Sequence, residues 1–447
     1  MSWSMMSNSL APTVVVGTIA AVVLSYHLYR RRPQRECECE CEPSGPDKDL
    51  EVPFSELHRL REMIDREGVA IVTGVLNSNE LKALEQEFKD ELTSLVDEDA
   101  VHACDDPRVK AAYERFQREG LPSFPYATAK ALQPIPGFVM NACVCAGQFA
   151  WRLRTHPRVH AAFGALFPGS GQLVSSIDVT FFQPEREPPA ATPDAPTDAH
   201  VDQNGHDVRA PALGTCDIYQ GVVYVWGAEE GCSTTCVWPG SHRSVWPRMM
   251  ADPSFVAPGK GGDHYSQLVS IGDDQLRTEL LDGWRAHHRR LRIPAGSLLL
   301  WNSRTVHTGW MGGRRLAQTV CLEPARERPA EQRLGKLRLA ALGIPGTHWA
   351  RIAHQHDVLP RARGWLSKTP VCKAKGADTH CKVRLPLRPA IRPAPLADAA
   401  DLAALAEIVH VDWNDESQRS SHCVWKPPPS CAPLLEVSVR EEFKRFL

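Results

Sequence analysis

The chain has 447 residues, of which 43% are hydrophobic and 23% charged, with a formal net charge of −2. That length buries a full core and leaves room for appendages, and the composition is that of a globular protein. The near-neutral balance lacks the basic footprint that nucleic-acid binding requires, so no nucleic-acid partner is expected.

Leu10 to Tyr29 carries no charged residue, with His27 neutral, and is dominated by Val, Ala, Leu and Ile. About 20 such residues suffice to cross a bilayer. Arg30, Arg31, Arg32 and Arg35 follow at once, and no Lys or Arg precedes the stretch. The positive-inside rule therefore predicts a single-pass anchor over residues 10–29. Residues 1–9 fall on the non-cytosolic side and the bulk of the chain faces the cytosol. A cleaved leader is the rival, but the basic n-region and small-residue cleavage site are missing. Residues 30–50 read as a juxtamembrane linker. Within it, Cys37-Glu-Cys-Glu-Cys41 is either a solvated spacer or a site for soft metals or acylation. The 14 cysteines of the chain are too sparse for a disulfide scaffold.

Further along, Gly221-Val-Val-Tyr-Val-Trp226 and Leu298-Leu-Leu-Trp301 are short apolar runs rich in branched and aromatic residues. Turn sequences bracket both, so they read as buried strands. Several such strands between long loops predict a mainly β fold with flanking helices, a double-stranded β-helix or jelly roll of cupin type.

The pair His200-x-Asp202 carries the chemistry. In an extended segment residues i and i+2 point to the same side, so both side chains reach one ion. His307, at the end of Pro294-Ala-Gly-Ser-Leu-Leu-Leu-Trp-Asn-Ser-Arg-Thr-Val-His307, supplies a third ligand from a distant strand. Two histidines and one carboxylate leave one face of a metal open, as in the facial triad of non-haem Fe(II) oxygenases. A second His-x-Asp, His410-Val-Asp412, reads as a helix end with no later strand to complete it, so it is taken as structural. Cys232, Cys236 and His242 fit a strand and turn better than a zinc site, with His242 stabilising the turn. Leu334 to Asp357 begins with helical periodicity, and His348, His354 and His356 read as helix-face and surface residues. Pro360 to Pro395 reads as an extended wrap over the core, followed by a helix from Leu396 to His410.

Residues 55 to 325 resemble the phytanoyl-CoA dioxygenase family of Fe(II)/2-oxoglutarate oxygenases. Arg66 to Leu81 is similar to its opening strand, turn and helix, and Arg154 to His160 to the helix before its core strands. Ser176 to Gln183, the His200-x-Asp202 loop and Gly231 to Arg243 with its Pro-Gly-Ser-His turn follow in the family's order. Pro294 to His307 and Arg314-Arg-Leu-Ala317 complete the match. The resemblance implies that residues 51–333 form the jelly-roll domain, with residues 334–447 an extension packed on it. It implies Fe(II) on His200, Asp202 and His307, with 2-oxoglutarate and O2 as co-substrates. A small organic substrate, lipids included, would be hydroxylated with release of succinate and CO2. A cytosolic face suits ferrous iron. Arg315 would bind the distal carboxylate of the co-substrate, with Arg314 as substitute. If Arg314 to Val320 is a strand, Arg315, Ala317 and Thr319 share the inward face and Arg314 turns away. Gln203 and Asn204 either contact the co-substrate and orient a ligand or pack the loop. A non-catalytic jelly-roll binding protein and a cupin-type metalloenzyme without 2-oxoglutarate are the alternatives.

Overall fold

The computed structural model describes residues 47–133, 135–185, 198–206, 216–255, 266–354, 383–388, 390–396 and 439–447. The apolar stretch 10–29 lies outside these residues, as do Cys37, Cys39 and Cys41, His356 and the His410/Asp412 pair. All but the first residue of the helix expected from Leu396 to His410 also lies outside. Among the described residues no helix is long and apolar enough to cross a membrane.

The strands, in chain order, are β1 (Glu51–Pro53), β2 (Val69–Thr73), β3 (Phe138–Val139), β4 (Leu173–Ser175), β5 (Thr180–Gln183), β6 (His200–Val201) and β7 (Tyr219–Tyr224). They continue with β8 (Thr234–Val237), β9 (Ser266–Gln267), β10 (Arg289–Arg290), β11 (Leu298–Asn302), β12 (His307–Trp310), β13 (Arg315–Thr319) and β14 (Leu322–Pro324). A seven-stranded sheet runs β1-β2-β11-β7-β13-β5-β3, and a five-stranded sheet runs β10-β8-β12-β6-β9. A third sheet pairs β14 with β4. The two runs read as buried strands become β7 and β11, which pair antiparallel. Both are buried at every residue, and their Gly221–Tyr224 and Leu298–Trp301 stretches run without the polar alternation of a half-exposed strand.

Helices cover the sheets. After β2, Gly74 turns the chain with φ of 74°. Helix Ser78–Leu95 then opens on a capping box in which Asn77 Oδ1 accepts from the Glu80 amide and the Glu80 carboxylate accepts from the Asn77 amide. Its Leu84, Phe88 and Leu92, one turn apart, enter the main core with Val69 and Ile71 of β2. A second core behind the five-stranded sheet joins Val201, Cys236, Val306 and Trp310 to Met249, Leu280 and Trp284 of two further helices. Gly68 ends helix Leu60–Glu67 in the left-handed region, and a Cβ there would lie 2.4 Å from the His242 ring. His242 sits over this cap and its Nε2 lies 3.2 Å from the Asp65 carbonyl, tying the Pro-Gly-Ser-His turn to the helix.

The folded unit begins before the expected end of the linker. Asp47 is 2% exposed and pairs with Arg289 beside β8. Downstream, helix Ala330–Leu342 leads into a segment that folds back on β14. Residues 383–388 and 390–393 run against the helical layer, with Leu385 N donating to Thr128 Oγ1 and Ile391 N to the Ala142 carbonyl. Val383, Leu385, Ile391, Phe443 and Leu447 all enter the main core.

Candidate metal centre

Strand β12 runs antiparallel to β6, and His307 stands directly opposite His200. Their rings lie 4.5 Å apart, centroid to centroid. Asp202 follows β6 and reaches both: Oδ2 lies 3.1 Å from His307 Nε2, and Oδ1 lies 3.7 Å from His200 Nε2. The three donor atoms fall within 4.8 Å of one another. No other group of three or more His, Cys, Asp or Glu among the described residues is placed to hold a metal. Cys232, Cys236 and His242 do not come together.

Backbone carbonyls orient both rings. His200 Nδ1 lies 2.7 Å from the Asp198 carbonyl, and His307 Nδ1 lies 2.9 Å from the Thr305 carbonyl. A carbonyl accepts only from N–H, so each Nδ1 carries a proton and each Nε2 is the atom turned to the cluster centre, where it can ligate a metal as a neutral imidazole. Burial opposes ionisation of Asp202, but attraction to His200 and His307 in their protonated form, with a hydrogen bond from His307, outweighs it and holds its carboxyl well below the usual carboxylate range. An ionised oxygen donor and two neutral nitrogen donors on one side are what a divalent metal of the iron type requires.

The carboxylate is itself fixed. Gln220 of β7 donates from Nε2 to Asp202 Oδ2 at 2.9 Å, and the Asp202 amide donates to the Ser303 carbonyl at 2.9 Å. Gln220 went unread in the sequence because it faces the site only after β7 has been laid beside β11.

A cavity of about 160 Å³ opens beside the triad. Arg315, the first residue of β13, lines it and is 6% exposed. Its Nη2 donates to Tyr224 Oη at 2.8 Å, and the guanidinium stacks 3.9 Å from the Phe181 ring centroid. Among the described residues no carboxylate forms an ion pair with it, and its Nε has no hydrogen-bond partner. Burial pushes its pKa down, partly offset by Tyr224. Arg314 points the other way: its side chain is 43% exposed and lies 3.6 Å from Glu185. Gln203 and Asn204 do not line the cavity. Gln203 donates to the Cys216 carbonyl, and Asn204 Oδ1 accepts from the His206 amide in its own turn. After Asp202 the chain turns away from the metal, so both residues serve loop packing rather than the co-substrate role considered for them.

Two histidines read as surface groups are buried. His354 lies 3.1 Å from Thr347 Oγ1. His348, 4% exposed, lines the cavity and hydrogen-bonds the Asp202 main chain. Burial pushes its imidazole pKa down. Its position comes from the fold-back after helix Ala330–Leu342. Glu323 of β14 accepts from the Ala350 and Arg351 amides and from Arg351 Nε at 2.8 Å, and the pair is almost wholly buried. Lys336, buried and pushed down to about 7 by desolvation, donates to the Ser175 and Ala350 carbonyls.

No protein-family model matches the chain, and no curated protein matches its sequence. Solved structures similar to it include the epimerase SnoN in complex with Fe3+, alpha ketoglutarate and nogalamycin RO. That match has 16% identity and a TM-score of 0.33 over 61% of this chain and 84% of SnoN. The non-heme alpha ketoglutarate dependent carbocyclase SnoK from nogalamycin biosynthesis matches at 14% identity and a TM-score of 0.33, over 63% of this chain and 88% of its own. HygX from Streptomyces hygroscopicus, with nickel, 2-oxoglutarate and hygromycin B bound, matches at 14% identity and a TM-score of 0.32, over 59% and 85%. Likeness at this level assigns nothing to the chain, and the site stands on its own geometry.

Proposed function

We propose that the chain is an Fe(II)- and 2-oxoglutarate-dependent dioxygenase that hydroxylates a small organic substrate with release of succinate and CO2. One observation carries the reading: Arg315, a buried guanidinium with no carboxylate partner among the described residues, shares a cavity with the two-histidine, one-carboxylate cluster. An unpaired buried cation is costly, and its planar fork suits a carboxylate from outside the chain. When bound, iron and its 2-oxo acid supply the oxidative chemistry that side chains lack. His200, Asp202 and His307 hold the metal, and Gln220 fixes the Asp202 carboxylate. Arg315 takes the distal carboxylate of the co-substrate. Phe181, Val222 and Trp301 line the cavity and exclude water.

The jelly-roll reading is supported by strand order. Runs β11-β7-β13-β5 and β10-β8-β12-β6 lie in separate sheets, and successive strands from β5 to β8 alternate between them, as do those from β10 to β13. The deciding experiment is an anaerobic Fe(II) titration with and without 2-oxoglutarate. A weak visible charge-transfer band is expected when both are present. A binding protein takes up no metal, and a cupin-type enzyme takes up metal without the band.

Losing a charged hydrogen-bond partner costs about 1.5–3 kcal/mol, roughly ten- to a hundredfold in affinity. Arg315→Ala is expected to raise the apparent 2-oxoglutarate constant by that factor and to leave Fe(II) affinity nearly unchanged. Arg314→Ala is expected to do little. Turnover measured against 2-oxoglutarate for both variants decides it, and an effect confined to Arg314→Ala contradicts the assignment.

We also propose that residues 10–29 anchor the protein in a membrane with the catalytic part facing the cytosol, supported by the arginine cluster after the apolar stretch. Full-length protein is then expected to stay with membranes through carbonate washing, and a chain starting near Leu50 to partition into the aqueous fraction. An N-terminus mapped after Tyr26 points to a processed leader instead.

A further inference from the structure

The cavity has a second charged wall that neither metal nor co-substrate binding uses. Asp178, just before β5, lines it and is 9% exposed. Its Oδ1 accepts from the Val179 amide at 2.7 Å, and among the described residues no lysine or arginine forms an ion pair with its carboxylate. Arg154 approaches from behind, but its guanidinium donates to the main-chain carbonyls of Cys145 and Asp178 instead.

Asp178 stands at the far end of the cavity from the anion socket. On β13, Arg315 pairs with Gln183 and Gln318 pairs with Thr180. Thr319, the last residue of β13, donates to the Val179 carbonyl. Arg315 and Thr319 share a face four residues apart, about 13 Å along a strand. A carboxylate beside Arg315 would compete with an incoming acid for the guanidinium, whereas at this distance it leaves the co-substrate end positive. The segment after helix Ala330–Leu342 closes the wall here. The Gly346 amide donates to the Ile177 carbonyl at 2.6 Å, and Thr347 and His348 line the cavity next to Asp178.

We propose that Asp178 anchors the substrate, and that the substrate presents a protonated amine to it. This rests on the metal and co-substrate reading above and names the substrate class for that site. A buried carboxylate whose nearest cation, Arg154, donates its hydrogen bonds to main-chain carbonyls is costly, and an ammonium group offsets its charge while donating to it. A hydroxyl supplies the hydrogen bond without the charge and binds less well. Burial pushes the Asp178 carboxyl up to about 7, opposed by the Val179 amide and Arg154, so the anion there is only partly compensated. The metal, when bound, occupies Asp202 and leaves Asp178 as the free carboxylate of the cavity.

The test uses protein loaded with Co(II) and 2-oxoglutarate, on the alkaline side of that value, with n-propylammonium and the isosteric 1-propanol as probes. Binding is read from the Co(II) absorption and by calorimetry. Propylammonium is expected to bind wild type roughly tenfold or more tighter than propanol, as a charge-assisted hydrogen bond does. Asp178→Asn should erase the preference while keeping Co(II) affinity. Equal binding of the two probes, binding of neither, or a preference that survives Asp178→Asn overturns the proposal. If Asp178→Asn fails to fold, the wild-type comparison alone decides. Co(II) and 2-oxoglutarate titrations without probe report the metal-site reading separately, so the two failures are distinguishable.

Discussion

Alanine at His200, Asp202 or His307 is expected to abolish binding of Fe(II), or of Co(II) as a spectroscopic stand-in, with the fold unchanged by circular dichroism. Each substitution removes one of three protein ligands, and the remaining two cannot define an open face. The orienting contact gives an internal scale. Gln220→Leu removes the amide that fixes Asp202 at 2.9 Å and should weaken metal binding by roughly 10–100-fold, the usual cost of such a contact. The three ligand variants should exceed that. His410→Ala and Asp412→Ala serve as controls and should leave metal content intact. Metal that tracks the His410 pair, and survives loss of His307, would place the site elsewhere.

The second large effect concerns the buried pair Glu323–Arg351. Glu323 accepts from two amides and from Arg351, and Arg351 also reaches Glu327. Removing one partner strands a buried charge, which costs about 3–5 kcal/mol. Arg351→Ala should therefore lower the denaturant midpoint sharply or release the segment from Gly346 to His354 without global unfolding. Hydrogen exchange separates these outcomes, since local release deprotects the Ala350 and Arg351 amides before the rest. Because His348 rides on this segment and hydrogen-bonds the Asp202 main chain, Co(II) affinity should fall as well. Unchanged exchange at Ala350, with a midpoint shift worth less than about 1 kcal/mol, would show that the pair contributes little beyond a good surface bridge.

The parts of the site legible in the sequence are those set by local geometry. The i, i+2 rule put His200 and Asp202 together, and the same alternation separated buried Arg315 from exposed Arg314. The reading stays open where the chain changes direction. Gln203 and Asn204, which adjoin Asp202, read equally as co-substrate contacts or as loop packing, and the turn after Asp202 sends them into the loop. Gln220, Asp178 and His348 carry no motif. The first two face the cavity only after strand pairing. His348 reads as part of a polar, histidine-rich stretch until Glu323 and Lys336 hold that stretch inside. Continuous apolar runs marked β7 and β11 as strands, but nothing local told that β2 would lie beside β11.

That pairing has a consequence for synthesis. Strand β2 has β1 on one edge and β11 on the other, with Val72 opposite Leu298. Strand β11 leaves the ribosome about 225 residues after β2 itself, a delay on the order of 10–45 s at roughly 5–20 residues per second. For that interval the nascent chain carries an open, wholly apolar strand edge, Val-Ala-Ile-Val, which templates association with other chains. The protein should therefore depend on chaperone occupancy during translation more than its finished core suggests, and its yield should respond to elongation rate.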